Sequence, residues 1–303
     1  LSAWFQCESS ADIRGQNQDG WCSRNSAVGF KGGFGNVYIG RWDTPYKRAH
    51  VGDTTGAEDT GLFGTAFVLA GSSTGTEGGA SRHIWKRRQS SMISYDSPSL
   101  NGFQVSAGYS TANSATAATT ATTSAKPRVV SLAAIYKNGP LAIGAGYERH
   151  NEFGATGGST DDRGWVLSAT YTFGNVKVGG VYTEQRYDVT STTDAKKKAW
   201  GLGVDWKISG PHGLAANYTR ADDISGTATS AINTATVPAP GASTGAKLYQ
   251  IAYTHAFSKR TSGKFGYVKL DNDTNARYAL GGTSVAAAGN NQSAWVMLLK
   301  HNF

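Results

Sequence analysis

The stretch YQIAYTHAF, Tyr249 to Phe257, alternates at every position. Tyr249, Ile251, Tyr253, His255 and Phe257 share one side, and Gln250, Ala252, Thr254 and Ala256 share the other. A period of two is that of a β-strand, whose successive side chains point to opposite faces. The pattern recurs in Trp165, Leu167, Ala169, Tyr171 and Phe173, set against Val166, Ser168, Thr170 and Thr172. It recurs in Trp200, Leu202, Val204, Trp206 and Ile208, set against Gly201, Gly203, Asp205 and Lys207, and again in Trp295, Met297, Leu299, His301 and Phe303. A soluble sandwich carries Val, Ile and Leu throughout its apolar face. Here aromatic rings sit at the strand ends and the opposite face is small, hydroxylic or charged. That pattern suits a barrel turned inside out, with a lipid-facing, aromatic-girdled exterior and a polar lumen.

The connections support this reading. Short turns fall at Lys137 to Pro140, Phe173 to Asn175, Ile208 to His212 and Phe257 to Thr261. Long polar stretches run from Ser110 to Pro127, His150 to Arg163, Asp188 to Lys198 and Ala221 to Lys247. Short turns on one rim and long loops on the other are the plan of an outer-membrane barrel. The Ala/Thr-rich run 112–125 and the Ser/Thr/Ala-rich stretch 225–245 read as solvated outer loops. The turns predict about fourteen strands, starting near Leu1, Ser26, Asn36, Ser90, Gly102, Val129, Leu141, Gly164, Val176, Ala199, Gly213, Ala246, Gly263 and Ser293. All of 1–303 reads as one all-β domain, an antiparallel up-and-down transmembrane barrel. One connection, 43–89, is too long for an ordinary loop, and its apolar part, Thr60 to Leu69, predicts that it packs inside the lumen.

Composition narrows the alternatives. Gly is 39 of 303 residues, nearly twice average usage, and aromatics are 11%. No run approaches the ~20 apolar residues of a membrane-spanning helix. The net charge is +8. The densest basic clusters, Lys86-Arg87-Arg88 and Lys196-Lys197-Lys198, are only three residues long, so no nucleic-acid-binding arm is predicted. Cys7 and Cys22 flank a polar segment with turn chemistry and read as one disulfide across a loop in an oxidising compartment. The pair lacks neighbouring His partners, so no metal centre is expected there, and no cofactor is expected anywhere. Asp53, Glu58 and Asp59 read as a solvated part of the long connection. The chain opens in what reads as mid-strand, with no signal peptide visible.

Several local stretches now add a resemblance. Phe34 to Lys47 (FGNVYIGRWDTPYK), Arg88 with Ser90 to Pro98 (SSMISYDSP), Ile251 to Thr261 (IAYTHAFSKRT) and a C-terminal strand ending in Phe303 resemble the trimeric general porins of Gram-negative outer membranes, in their betaproteobacterial branch. The resemblance spans essentially the whole chain. It implies a passive channel for small hydrophilic solutes, narrowed by the 43–89 loop region. Its implied partners are two further copies of the chain, outer-membrane lipid and lipopolysaccharide, small anions in transit, and the insertion machinery, which would read Phe303. These porins have sixteen strands, so the resemblance implies that two strands precede Leu1. A closed fourteen-stranded barrel is the alternative, and it requires the strand of Leu1 to pair with that of Phe303.

A barrel this wide discriminates only where it is narrowed and charged. Arg24, Lys31, Arg41, Lys47, Arg48 and Arg88 flank or lie on the 43–89 segment and together read as a basic eyelet that prefers anions. Each alone reads equally well as a solvated rim charge or an ion pair. Arg88 matches the basic wall position of the family, and the facing of Arg41 is open. Lys177 and Lys207 face inward near short turns. The six His show no catalytic grouping, and no GxSxG nucleophile elbow occurs, so no enzyme is expected. Gly32 to Val37 lacks the Lys-Ser/Thr of a phosphate loop and reads as a hairpin turn. Two other functions fit the same residues: a substrate-specific channel for a phosphate- or dicarboxylate-like anion, and a structural or adhesive barrel with a plugged lumen.

Overall fold

The computed structural model describes residues 1–9, 20–52, 65–71, 82–111, 127–153, 161–233, 236–280 and 287–302. Fifteen strands are present among them. The first five are β1 (Ser2–Gln6), β2 (Ser26–Gly32), β3 (Gly35–Asp43), β4 (Arg88–Asp96) and β5 (Phe103–Ser110). Next come β6 (Arg128–Asn138), β7 (Leu141–Asn151), β8 (Asp161–Phe173), β9 (Val176–Asp188) and β10 (Asp194–Ser209). The chain continues through β11 (His212–Ala221), β12 (Ser225–Gly226), β13 (Ala246–Ala256), β14 (Thr261–Asn272) and β15 (Gln292–His301). Two short helices, α1 (Pro45–Arg48) and α2 (Thr65–Ala70), lie between β3 and β4.

Every neighbouring pair is antiparallel, and the strands follow one another in chain order from β1 to β15. The two-residue β12 stands off this path and pairs with β10. Fourteen strands on one path match the number read from the turns. The extra β12 lies in a Ser/Thr/Ala stretch that carries no alternation. The pairing of β1 with β15 that a closed fourteen-stranded barrel requires is not present among the described residues.

The turns explain why consecutive strands pair. Gly139, Gly174 and Gly210 have φ of 55°, 58° and 53° in the short turns after β6, β8 and β10. This left-handed backbone suits glycine, and it lets a two-residue turn match the twist of the strands it joins.

Alternation then sorts the two faces. Trp295, Met297 and Leu299 of β15 are 69%, 83% and 74% exposed. The outward residues of β8, Trp165, Leu167, Tyr171 and Phe173, are exposed as well. Uncovered apolar side chains in this number need a hydrocarbon solvent. The opposite parity is buried, and much of it is small or polar: Ser131, Ser168, Thr170, Thr183, Gln185, Asn217 and Gln250. The wall is therefore apolar outside and polar inside. The described parts of the segment between β3 and β4 turn into the lumen, where α1 lies against β5 to β7 and α2 against β9 to β11 and β13.

Candidate pore constriction

The segment enters the lumen through a Thr-Pro start. Thr44 caps α1, its hydroxyl accepting from the Lys47 N–H at 3.3 Å, and Pro45 at the first helical position is already set to a helical φ. The inner wall then holds the segment with hydrogen bonds. The Tyr46 N–H donates to Ser131 Oγ and the Val51 N–H to Ser168 Oγ, each at 2.9 Å. Thr65 Oγ1 donates to Gln250 Oε1 at 3.2 Å, and Thr183 Oγ1 donates to the Leu69 carbonyl at 2.9 Å. Trp85 Nε1 donates to Tyr187 at 2.8 Å. Arg82 grips Asp162 with two bonds of 2.7 and 2.6 Å.

Glycines shape the seat beneath these bonds. A Cβ on Gly144 would lie 2.1 Å from the Ala49 carbonyl oxygen, and one on Gly164 would lie 2.5 Å from the Trp85 ring. Only bare backbone at these positions lets the segment approach so closely. Above Gly164, Trp85 stacks on His150 with centroids 4.1 Å apart, and His150 stacks on Phe153 at 4.6 Å. His150 also meets Glu148 at 2.8 Å.

The wall formed by β1 to β4 carries charge instead. Arg88, the first residue of β4, is buried, with Nε donating to Asn25 Oδ1 at 2.8 Å and lying 3.5 Å from Asp43. Lys47 meets the same Asp43 at 2.9 Å. Arg48 makes a two-pronged contact to Asp96 at 3.1 and 2.8 Å, and Tyr38 donates to that carboxylate at 3.2 Å. Arg24 pairs with Glu8 at 2.5 Å. Burial raises the Glu8 carboxyl, but Arg24, the Asn25 N–H and Arg88 outweigh it and hold the group below its ordinary value. Arg41 sits at a break in register between Gly40 and Trp42, and no carboxylate lies within salt-bridge distance of it among the described residues. Lys31 is exposed beside the β2–β3 turn, away from the rest.

Of the six basic residues singled out, Arg24, Lys47, Arg48 and Arg88 thus gather around Glu8, Asp43 and Asp96. These three carboxylates went unread in the sequence. Asp96 has the inward parity of Met92 and Ser94, Asp43 shares the parity of the exposed Val37 and Ile39 until the register breaks at Gly40/Trp42, and Glu8 lies just beyond β1. Lys177 stands opposite Asp205 in the register of β9 and β10, and Lys207 and Lys264 also act on that carboxylate. Cys7 and Cys22 form a disulfide. Phe303 and Asp53, Glu58 and Asp59 lie outside the described residues.

Where the segment meets the outer loops, His83 accepts from Asn233 Nδ2 at 3.4 Å. Burial, with Lys197 and Arg87 nearby, pushes its imidazole down to about 4. Lys197 donates to the Thr236 carbonyl at 2.9 Å and lies 4.9 Å from the centre of the Tyr278 ring.

This arrangement can narrow and charge a water-filled passage. A metal-holding group of three or more His, Cys, Asp or Glu is absent among the described residues.

Comparisons with known proteins agree with the architecture. The chain is similar to outer membrane porin protein 32 of Delftia acidovorans, 26% identical over 289 residues that cover 92% of this chain and 74% of that one. It is similar to the major outer membrane protein P.IB of Neisseria gonorrhoeae over a shorter stretch, 33% identical over 110 residues, 36% of this chain and 28% of that protein. Among solved structures, the anion-selective porin from Comamonas acidovorans superposes with a TM-score of 0.70 at 25% identity, covering 95% of this chain and 80% of that one. The trimer form of OmpT from Vibrio cholerae shares the fold, with a TM-score of 0.65 at 17% identity, covering 92% of this chain and 80% of that one. The profile of the family described as Gram-negative porin matches residues 1–276, and with the lipid-facing wall and the inward-folded segment already established, the chain belongs to that family of outer-membrane channels.

Proposed function

We propose that this porin passes small hydrophilic solutes passively, prefers anions, performs no catalysis and works as a homotrimer in the outer membrane. One observation carries the anion preference. The stretch 82–88, which leads the inward segment back to β4, holds four cationic residues, Arg82, Lys86, Arg87 and Arg88, and no carboxylate, within a stretch 43–96 that totals six basic and six acidic residues. Of these, Arg82 pairs with Asp162 of β8 and Arg88 lies near Asp43. Charges in a narrowed lumen act through a lower effective dielectric than charges on a rim in bulk water, so an anion gains a shallow well and a cation meets a barrier. Lys177, Lys207 and Lys264 around Asp205 extend the positive wall toward the short turns. The 43–89 segment acts as the constriction, and Arg24, Arg41, Lys47, Arg48 and Arg88 tune its field. Lys31, beside a turn, lines the mouth.

The likeness to an anion-selective porin and to a porin of trimeric form supports the same reading. The test is the reversal potential of the purified protein in a planar bilayer across a potassium chloride gradient. Chloride preference that weakens as salt rises is the expected result, because a Debye length of ~10 Å at 0.1 M shortens with concentration. A cation-selective channel, or negligible conductance, overturns the proposal.

A further inference from the structure

The outer face of the barrel carries a cluster that conduction does not use. His212 opens β11 just after a short turn, and His255 lies near the end of β13, before another short turn. The register sets the two directly opposite each other, and both take the outward parity of their strands. Directly opposed positions in an antiparallel pair bring Cβ atoms to about 4.5–5.5 Å, and the two imidazole rings lie with centroids 5.1 Å apart. Tyr253, two residues before His255 on the same face, places its hydroxyl between them. That oxygen lies 2.5 Å from His212 Nδ1 and 3.2 Å from His255 Nδ1. A phenol has one proton, so it donates to one ring nitrogen and accepts from the other. Two nitrogens and one oxygen therefore lie close together, with the phenol oxygen bridging the two Nδ1 atoms, and Phe257 packs against His255 at 4.8 Å.

We propose that His212, His255 and Tyr253 form a chelating site for a divalent first-row transition-metal ion on the outer surface of the barrel, at its short-turn rim. The ligand chemistry selects the ion class. Imidazole nitrogens bind copper, nickel and zinc at about 2.0–2.1 Å, whereas calcium and magnesium call for all-oxygen cages. Small rotations of the two rings close the gap to that distance, with the phenol oxygen and water completing the shell. The site sits outside the lumen, so an ion there ties β11 to β13 without obstructing the channel. It is also separate from the other outward histidine of this rim, because His301 Nδ1 meets Thr261 Oγ1 at 2.9 Å instead.

The experiment uses the purified, folded protein in detergent at neutral pH, with Cu²⁺ as the probe. Calorimetric titration is expected to give one ion per chain, and the electron paramagnetic resonance spectrum is expected to show two nitrogen ligands. His212→Ala and His255→Ala should each weaken binding by about tenfold or more and reduce the nitrogen count to one. Tyr253→Phe should weaken it less, and His301→Ala should leave it unchanged. These side chains point outward at the rim, and heat-modifiable mobility on gels shows whether each variant is folded. Equal Cu²⁺ affinity in the wild type and a folded His212→Ala/His255→Ala double variant overturns the proposal, as does a loss in His301→Ala matching that in His212→Ala.

Discussion

The two sides of the lumen solve different problems. The wall of β6 to β9 meets the inward segment with bare backbone at Gly144 and Gly164, hydroxyls at Ser131, Ser168 and Thr183, and the buried carboxylate of Asp162, which pairs with Arg82. The wall of β1 to β4 meets it with Arg24, Arg88, Asp43 and Asp96, and with Lys47 and Arg48 on the segment itself. The first wall fixes where the segment lies. On the proposed function, the second sets the field an ion feels beside it. Shape and charge are thus assigned to different strands, so in principle they can be changed separately.

The strongest test of that division is steric. Gly144→Val places branched carbon against the Ala49 carbonyl, where even a Cβ would lie 2.1 Å away. Overpacking of this kind costs about 1–3 kcal/mol, and it acts on docking of the segment, since the outer strand face is untouched. Single-channel conductance should rise, with the barrel still inserted and heat-modifiable. Unchanged conductance would show that the segment does not narrow the passage.

The next effect is electrostatic. Arg88→Ala removes a buried cation and leaves Asp43 with less compensation, so the ratio of chloride to potassium permeability should fall by roughly twofold or more. Lys196, which pairs with Glu184 at 2.9 Å on the outward parity of β10, serves as the control, and Lys196→Ala should leave the ratio unchanged. Equal effects from the two substitutions would mean that the charged wall does not set the field.

A smaller effect follows from pH. His83 is neutral in the folded state down to about 4, against an ordinary value of 6.5. Its folded value is depressed, so the undocked segment binds a proton that the docked one refuses. Docking therefore weakens as pH falls from 6.5 toward 4, by about 3 kcal/mol at most, and does not weaken further through this group below that. Hydrogen exchange around Ile84 and Trp85 should quicken over that window in the wild type and lose the dependence in His83→Gln.

Reducing the Cys7–Cys22 disulfide should change least. It closes a loop of sequence separation 15 next to β1 and touches neither the seat nor Asp43. Conductance and selectivity should survive reduction, with added protease sensitivity confined to the neighbouring loop.

The outer face was readable because its signal is repetitive. Alternation over nine residues, as in Trp165 to Phe173, leaves one parity for lipid and one for water, and the turns count the strands. Four of the six basic residues, Arg24, Lys47, Arg48 and Arg88, stand near one another in the fold, while Lys31 and Arg41 stand apart. Their partners were not readable in the sequence, since Asp43 and Asp96 are isolated carboxylates whose role depends on which cation the fold brings to them. The seat was the least visible. Gly144, Gly146 and Gly164 look like the small residues expected on any lumenal face, and only the approach of Ala49 and Trp85 gives them a task. His150, read as the start of a loop, belongs to β7, where it pairs with Val129 and Asp162 and its ring stacks on Trp85, which is distant in sequence.

The anchors of the inward segment also impose an order in time. Tyr46 waits for Ser131, Val51 for Ser168 and Thr65 for Gln250, partners 85, 117 and 185 positions further along the chain. Contacts that close such long stretches of chain form late. The segment cannot be fully moored until β13 has joined the sheet, so a growing barrel passes through a stage in which its wall is largely built and its passage is still wide. If that segment is the constriction, as proposed, whatever delivers this chain to the membrane handles an unnarrowed barrel first, and the narrow point is acquired among the last steps of maturation.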